Sequence, residues 1–244
     1  MDVDEFVAQN PNVKFVMLRA TLVNGLPDVS YKHYADAFSK YPDITVVAYL
    51  WPNPLRADML ARWTTALETA EEMPDGLMVD FELTFHQTDD VLTANAEQSF
   101  QDVATFGIPY FGYTRGNWWE QHIKTTVEVG RMFIIAHYPY FLIDGKWQQS
   151  KRHSDLHKNL PIHNNFTPYL GRIKPEQVLG WQFSAKGKLP PHAPHDMDLD
   201  SMHRARVAAH FGEPAPPPPP PSADTVVVNY SVTPAHVAVE FKEI

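Results

Sequence analysis

Short apolar runs alternate with longer stretches of helical spacing along this chain. Val13-Lys14-Phe15-Val16-Met17-Leu18-Arg19 reads as a buried strand, and residues 44–50 and 77–82 repeat its character. Between these runs, 31–41 carries Tyr34, Ala35, Phe38 and Tyr41 at helical spacing. Residues 56–72 put Met59, Leu60, Trp63, Leu67 and Ala70 on one face, which predicts a core-facing helix. Helices are also predicted at 92–106 and 118–127, and strands at 109–113, 132–138 and 178–183. Such alternation predicts an α/β fold, a parallel sheet closed by helices into a (β/α) barrel. A chain of 244 residues is long enough for one. Residues 146–174 break the rhythm, are rich in His and Asn, and are predicted as a long loop over the barrel.

The predicted strands end on polar or aromatic residues: Arg19, Tyr49, Asp80, Glu82, Tyr113, His137 and Gln182. In a parallel barrel the C-terminal strand ends form the active face. One mouth lined by these residues is therefore expected, although any one of them alone is better read as a strand cap. Within the set, Val79-Asp80-Phe81-Glu82 stands out. Residues i and i+2 of a strand share a face about 7 Å apart. Two carboxyls so placed repel, which raises the pKa of one and leaves an acid beside a carboxylate. That is the equipment for cleaving a glycosidic bond.

Composition narrows the class. Apolar residues make up 44% and charged residues 20% of a chain with net charge -9. No basic stripe is present, so a general nucleic-acid binder is not expected. Six Trp, ten Tyr and 14 Phe supply flat faces for sugars. The absence of cysteine excludes disulfides, thiolate metal sites and a cysteine nucleophile. No run reaches the length of a bilayer span, so membrane insertion is not expected. Residues 1–12 carry three acids and no apolar stretch, so no signal peptide is expected.

The C-terminal part reads differently. Residues 213–222 contain the unbroken prolines 216–221, an extended semi-rigid linker. Beyond it, 225–232 and 236–241 read as two strands of a hairpin. The expected organisation is thus a barrel over 1–212, a linker over 213–222 and a hairpin within 223–244. A lone hairpin is marginal in water and must pack on the barrel, a second copy or a partner protein.

Several motifs in order resemble glycoside hydrolase family 25, the lysozymes typical of bacteriophages and some bacteria and fungi. Phe15-Val16-Met17-Leu18-Arg19-Ala20-Thr21 resembles its "F-hydrophobic-R-A-T" strand, with Asp28 and Tyr31 in the following loop. Val47-Ala48-Tyr49 resembles "G-x-Y", and Val79-Asp80-Phe81-Glu82 its D-x-E. Pro109-Tyr110-Phe111-Gly112-Tyr113-Thr114 resembles "P-hydrophobic-x-Y-T", and Ile134-Ile135-Ala136-His137-Tyr138 resembles "W-I-A-x-Y". Gly180-Trp181-Gln182-Phe183-Ser184 and Asp198-Leu199-Asp200 resemble "W-Q-Y-S" and "D-L-N".

The resemblance implies a modified β/α barrel that hydrolyses the β-1,4 bond between N-acetylmuramic acid and N-acetylglucosamine in peptidoglycan. Glu82 would be the general acid. Asp80 would stabilise developing positive charge or orient the substrate acetamido group, and Asp198 would be a further acid at the rim. Tyr49, Tyr113, Tyr138, Trp181 and Gln182 would line the groove, with Arg19 and His137 at the same strand ends. No metal or organic cofactor is implied. The protein would act on the bacterial cell wall, phage-encoded or exported by another route. One departure stands out: the family's opening "G-x-D-V-S" strand and its Asp have no counterpart before Asp4-Glu5-Phe6-Val7. The barrel would then need closing by another segment, for which the C-terminal hairpin is a candidate.

Two alternatives stand beside this reading. Asp75-Gly76-Leu77-Met78-Val79-Asp80-Phe81-Glu82 matches the family 18 chitinase pattern "D-G-x-D-x-D-x-E" except at Met78, which carries no proton and holds no acetamido group. A non-catalytic wall-binding or virion structural module on the same barrel is the other. His153 with His157, and His192, His195 and Asp196, form local clusters better read as solvated loop residues than metal ligands. Trp118-Trp119 reads as a helix anchor in the core rather than a sugar platform.

Overall fold

The computed structural model describes residues 2–11, 13–149, 168–187, 197–212, 227–229 and 236–240. Helix α1 (Val3–Gln9) opens the chain, capped by Asp2, whose carboxylate accepts from Glu5 N at 3.1 Å. Six parallel strands follow, with helices between the first five: β1 (Val13–Arg19), α2 (Tyr31–Phe38), β2 (Thr45–Leu50), α3 (Met59–Leu67), β3 (Gly76–Phe81), α4 (Asp89–Ala104), β4 (Tyr110–Thr114), α5 (Gly116–His122) and β5 (Phe133–Ala136). A small antiparallel hairpin, β6 (Tyr140–Ile143) and β7 (Lys146–Gln149), precedes the sixth parallel strand, β8 (Val178–Gly187). Strand β9 (Met197–Met202) turns back antiparallel on β8, then come α6 (Arg204–Phe211), β10 (Val227–Asn229) and β11 (His236–Glu240). The strand order is β10-β9-β8-β5-β4-β3-β2-β1-β11, and the end strands β10 and β11 touch, so the sheet curls on itself.

Alternation sorts the strand residues into two apolar layers. Val16, Leu18, Ala48, Leu50, Leu77, Val79, Phe81, Phe133 and Ile135 face the helices and meet Phe38, Trp63, Phe100 and Trp119. Phe15, Met17, Val47, Tyr49, Met78, Phe111, Tyr113 and Ile134 fill the inside of the curled sheet. Helix α6 closes the end where the parallel strands begin. Its Phe211 packs edge-on against Phe15 at 5.5 Å and against Phe111 at 6.4 Å. Gly76 makes room for that ring: a Cβ there would stand 2.6 Å from Phe211 Cε1. With one end plugged by aromatics, the polar strand ends are left at the other.

Several expected elements are corrected. The helix expected over 56–72 runs only from Met59 to Leu67, because Glu71 N donates to Asp36 Oδ1 and leaves the helical path. The helix expected over 118–127 is Gly116–His122, and the carbonyls beyond it are taken by Arg172, which donates to Ile123 O and Thr125 O. Lys146–Gln149 is a strand rather than the start of a loop. Asp144 at φ 51° and Gly145 at φ 73° make the two-residue turn that matches strand twist. The clearest difference is the C-terminal hairpin. Among the described residues β10 pairs with β9 and β11 with β1, so the two strands complete the barrel sheet instead of pairing together. Free sheet edges on β1 and β9 offer backbone donors and acceptors that would otherwise face water. The proline run and the two histidine clusters lie outside the described residues.

Candidate active site

The C-terminal end of β3 carries the two acids. Asp80 shares the inward parity of Met78, is buried, and lies in register with Tyr113 of β4. Glu82 follows one residue past the strand and is half-buried. Thr114 pins this end by donating its hydroxyl to Phe81 O at 2.8 Å. Burial pushes the Glu82 carboxyl above the ordinary glutamate range, and the Arg115 guanidinium opposes that shift without cancelling it. Just beyond, Phe85 and His86 both adopt left-handed backbone, at φ 50° and 56°. Two such non-glycine residues in succession are strained, and strain of this kind gathers at functional sites.

An aromatic and amide wall stands across the mouth. Gln182 of β8 is buried, and its Oε1 accepts from the hydroxyls of Tyr113 and Tyr138, each at 2.5 Å. The two hydroxyls are 3.3 Å apart. Tyr49 of β2 is buried on the same inner layer, in register with Arg19 of β1. Arg19 Nε donates to Asp28 Oδ2 at 2.8 Å, and Asp28 Oδ1 accepts from Ser30 N, so Arg19 is held by the loop after its own strand. Hydrogen bonds thus join Tyr113, Tyr138 and Gln182, while register and alternation set Tyr49 and Asp80 on the same inner layer, with Glu82 and Arg19 at their strand ends.

Trp181 departs from its expected place in the groove. It neighbours the inward Gln182, so alternation turns it into the helix-facing core, where it is buried. Its Nε1 donates to His137 O at 2.6 Å, and His137 N donates to Gln182 O, which fixes the exit of β5. Asp198 lies on β9, opposite Asn229 of β10. Trp118 and Trp119 are core residues, Trp119 against Phe81 at 5.5 Å and Phe133 at 5.0 Å. Sequence reasoning missed Arg115, although it directly follows Tyr113-Thr114 at a strand end. It also missed Trp51, which continues the inward parity of Val47 and Tyr49. Among the described residues no group of three or more His, Asp or Glu is arranged to hold a metal ion, and no helix is long and apolar enough to cross a membrane.

The chain is thus a modified α/β barrel, plugged by aromatics at one end, with the two carboxyls and a tyrosine–glutamine wall at the other. Among solved structures it is similar to the catalytic domain of the endolysin ply40 from bacteriophage P40 of Listeria monocytogenes. The TM-score is 0.57 at 15% sequence identity, over 86% of this chain and 91% of that one. No protein-family profile matches the chain, and no curated protein matches it in sequence.

Proposed function

We propose that this protein is a peptidoglycan hydrolase that cleaves the β-1,4 bond between N-acetylmuramic acid and N-acetylglucosamine, with Glu82 as general acid and Asp80 assisting. The observation that carries this reading is the acid pair at the end of β3: a half-buried Glu82 whose proton is held above its usual range, over a buried Asp80. The motif resemblance to glycoside hydrolase family 25 and the likeness to an endolysin catalytic domain support it. In the reaction Glu82 gives its proton to the glycosidic oxygen as the bond to the anomeric carbon breaks. The Asp80 carboxylate stabilises the positive charge left there, or holds the substrate acetamido group whose oxygen attacks. Water then adds at the anomeric carbon and a proton returns to Glu82. Tyr49, Tyr113, Tyr138 and Gln182 hold the sugar, with Asp198 as an acid at the rim. The proposed place of action is the bacterial cell wall.

Release of reducing ends from purified peptidoglycan tests the proposal. Wild type should release them, and Glu82→Gln should lower the rate by at least about 100-fold, the usual scale of a lost general acid. Equal rates would remove Glu82 from the role.

A non-catalytic wall-binding module is the second reading, and one observation favours it. The strand beside β1 is β11, whose register sets Val237 and Val239 opposite the inward Met17 and Phe15. Those positions carry no third acid. Wall binding by wild type without any release of reducing ends would select this reading.

A further inference from the structure

The chain leaves the mouth through a hairpin that the reaction above does not use. Strand β6 begins two residues after Tyr138, and β7 returns to the barrel, where Gln149 Oε1 accepts from Ala185 N of β8 at 2.8 Å. The hairpin therefore runs from the segment after β5, which carries Tyr138, to β8, which carries Gln182. It is built as a fixed element. Asp144-Gly145 closes it with left-handed backbone at both positions, Phe141 is buried beneath it, and Gln148 Nε2 donates to Ile143 O.

Its other face turns Gln149 toward β8 and Tyr140 and Trp147 partly to solvent. The register Tyr140↔Gln149 and Leu142↔Trp147 puts Tyr140, Leu142, Trp147 and Gln149 on one face. Tyr140 is 39% exposed and Trp147 46% exposed, in a chain whose other tryptophans at 51, 63, 118, 119 and 181 are buried. Diagonal neighbours across an antiparallel pair stand about 7–8 Å apart. Two aromatic faces at that spacing, with an amide between them and the barrel, suit a pyranose chain. The C–H face of a sugar ring stacks on an aromatic ring while its equatorial groups take hydrogen bonds.

We propose that the Tyr140–Trp147 face of this hairpin is a further glycan subsite. It holds rings of an extended β-1,4-linked N-acetylhexosamine chain beyond the pair at the cleaved bond. The kind of sugar rests on the hydrolase reading above. The occupant is argued from continuity, because the platform runs from Tyr138 on one side to Ala185, three residues past Gln182, on the other.

The test uses the full chain in two arms. In the first, the Glu82→Gln protein is bound to purified peptidoglycan with and without Trp147→Ala or Tyr140→Ala. Each substitution should weaken binding about tenfold, the scale of one interface aromatic, while Val129→Ser in the exposed turn before β5 should not. In the second, kcat/KM of the Trp147→Ala enzyme is compared on long glycan strands and short fragments, and its deficit should grow with chain length. Trp147→Phe should recover most of the loss, which separates stacking from misfolding. Wild-type-like binding by Trp147→Ala, or a deficit independent of chain length, overturns the subsite and leaves the hydrolase reading intact. Absence of both binding and turnover in wild type overturns both.

Discussion

The Tyr113 hydroxyl donates to Gln182 Oε1 at 2.5 Å and so joins β4 to β8 across the intervening β5. These residues are 69 positions apart in sequence, yet both face inward, Tyr113 near the end of β4 and Gln182 in the middle of β8. Tyr138 donates to the same oxygen. Gln182→Leu removes an acceptor shared by a buried donor, Tyr113, and a half-buried one, Tyr138, and should cost about 1–3 kcal/mol in denaturant unfolding. It should also reduce kcat/KM on peptidoglycan, whereas Tyr138→Phe, which removes one donor, should cost less on both counts.

Glu82 sets a pH dependence with a definite sign. Its carboxyl is raised by burial and held back by Arg115. As the proposed general acid it must be protonated, so turnover should fall as pH rises through the raised pKa. Arg115→Gln removes the opposing charge, and the alkaline limb of a kcat/KM profile should move to higher pH.

The same shift acts on stability. The folded state holds the Glu82 proton more tightly than the unfolded chain. Stability is therefore lost as pH rises from the unfolded pKa through the folded one, and it stays lower above. Glu82→Gln removes this loss. Unfolding curves should show the variant more stable than wild type at neutral pH, with the difference shrinking toward low pH.

Gly76 and Phe211 make a reciprocal pair at the plugged end. Gly76→Ala drives a methyl into the Phe211 ring, 2.6 Å away. Overpacking of this kind should lower stability by about 1–3 kcal/mol. In a double-mutant cycle, Phe211→Leu should rescue part of that loss by vacating the ring edge.

The C-terminal strands complete the sheet on both sides, β11 along β1 and β10 along β9. Deleting residues 213–244 exposes both edges at once. The truncated chain should melt well below the full chain and show concentration-dependent aggregation by light scattering. A monomeric variant with an unchanged melting curve would overturn the view that these strands belong to the barrel sheet.

Local pattern carried much of the fold. Period-two and period-3.6 spacing located the six parallel strands and four of the helices, because burial on one face imposes those periods wherever the strands and helices pack. Their ends were misjudged where a distant side chain took over a backbone group, as Asp36 does at Glu71 and Arg172 at Ile123. The β6–β7 hairpin was legible in Asp144-Gly145, a pair whose backbone freedom marks a two-residue turn. Its neighbourhood of histidines and asparagines drew the reading toward loop instead.

By itself the sequence determined the alternating architecture and the placement of two acids, an arginine and several tyrosines at strand ends. Those follow from side-chain period, which is local. Which residues meet was decided only by tertiary structure. Curling the sheet brought Gln182 to Tyr113 and Tyr138, turned Trp181 away from the groove, and tied Arg19 to Asp28. Among the described residues it also paired the C-terminal strands with the two sheet edges, where β10 and β11 meet. Such pairings depend on register, twist and unsatisfied edges, quantities that belong to the assembled sheet and to no single segment.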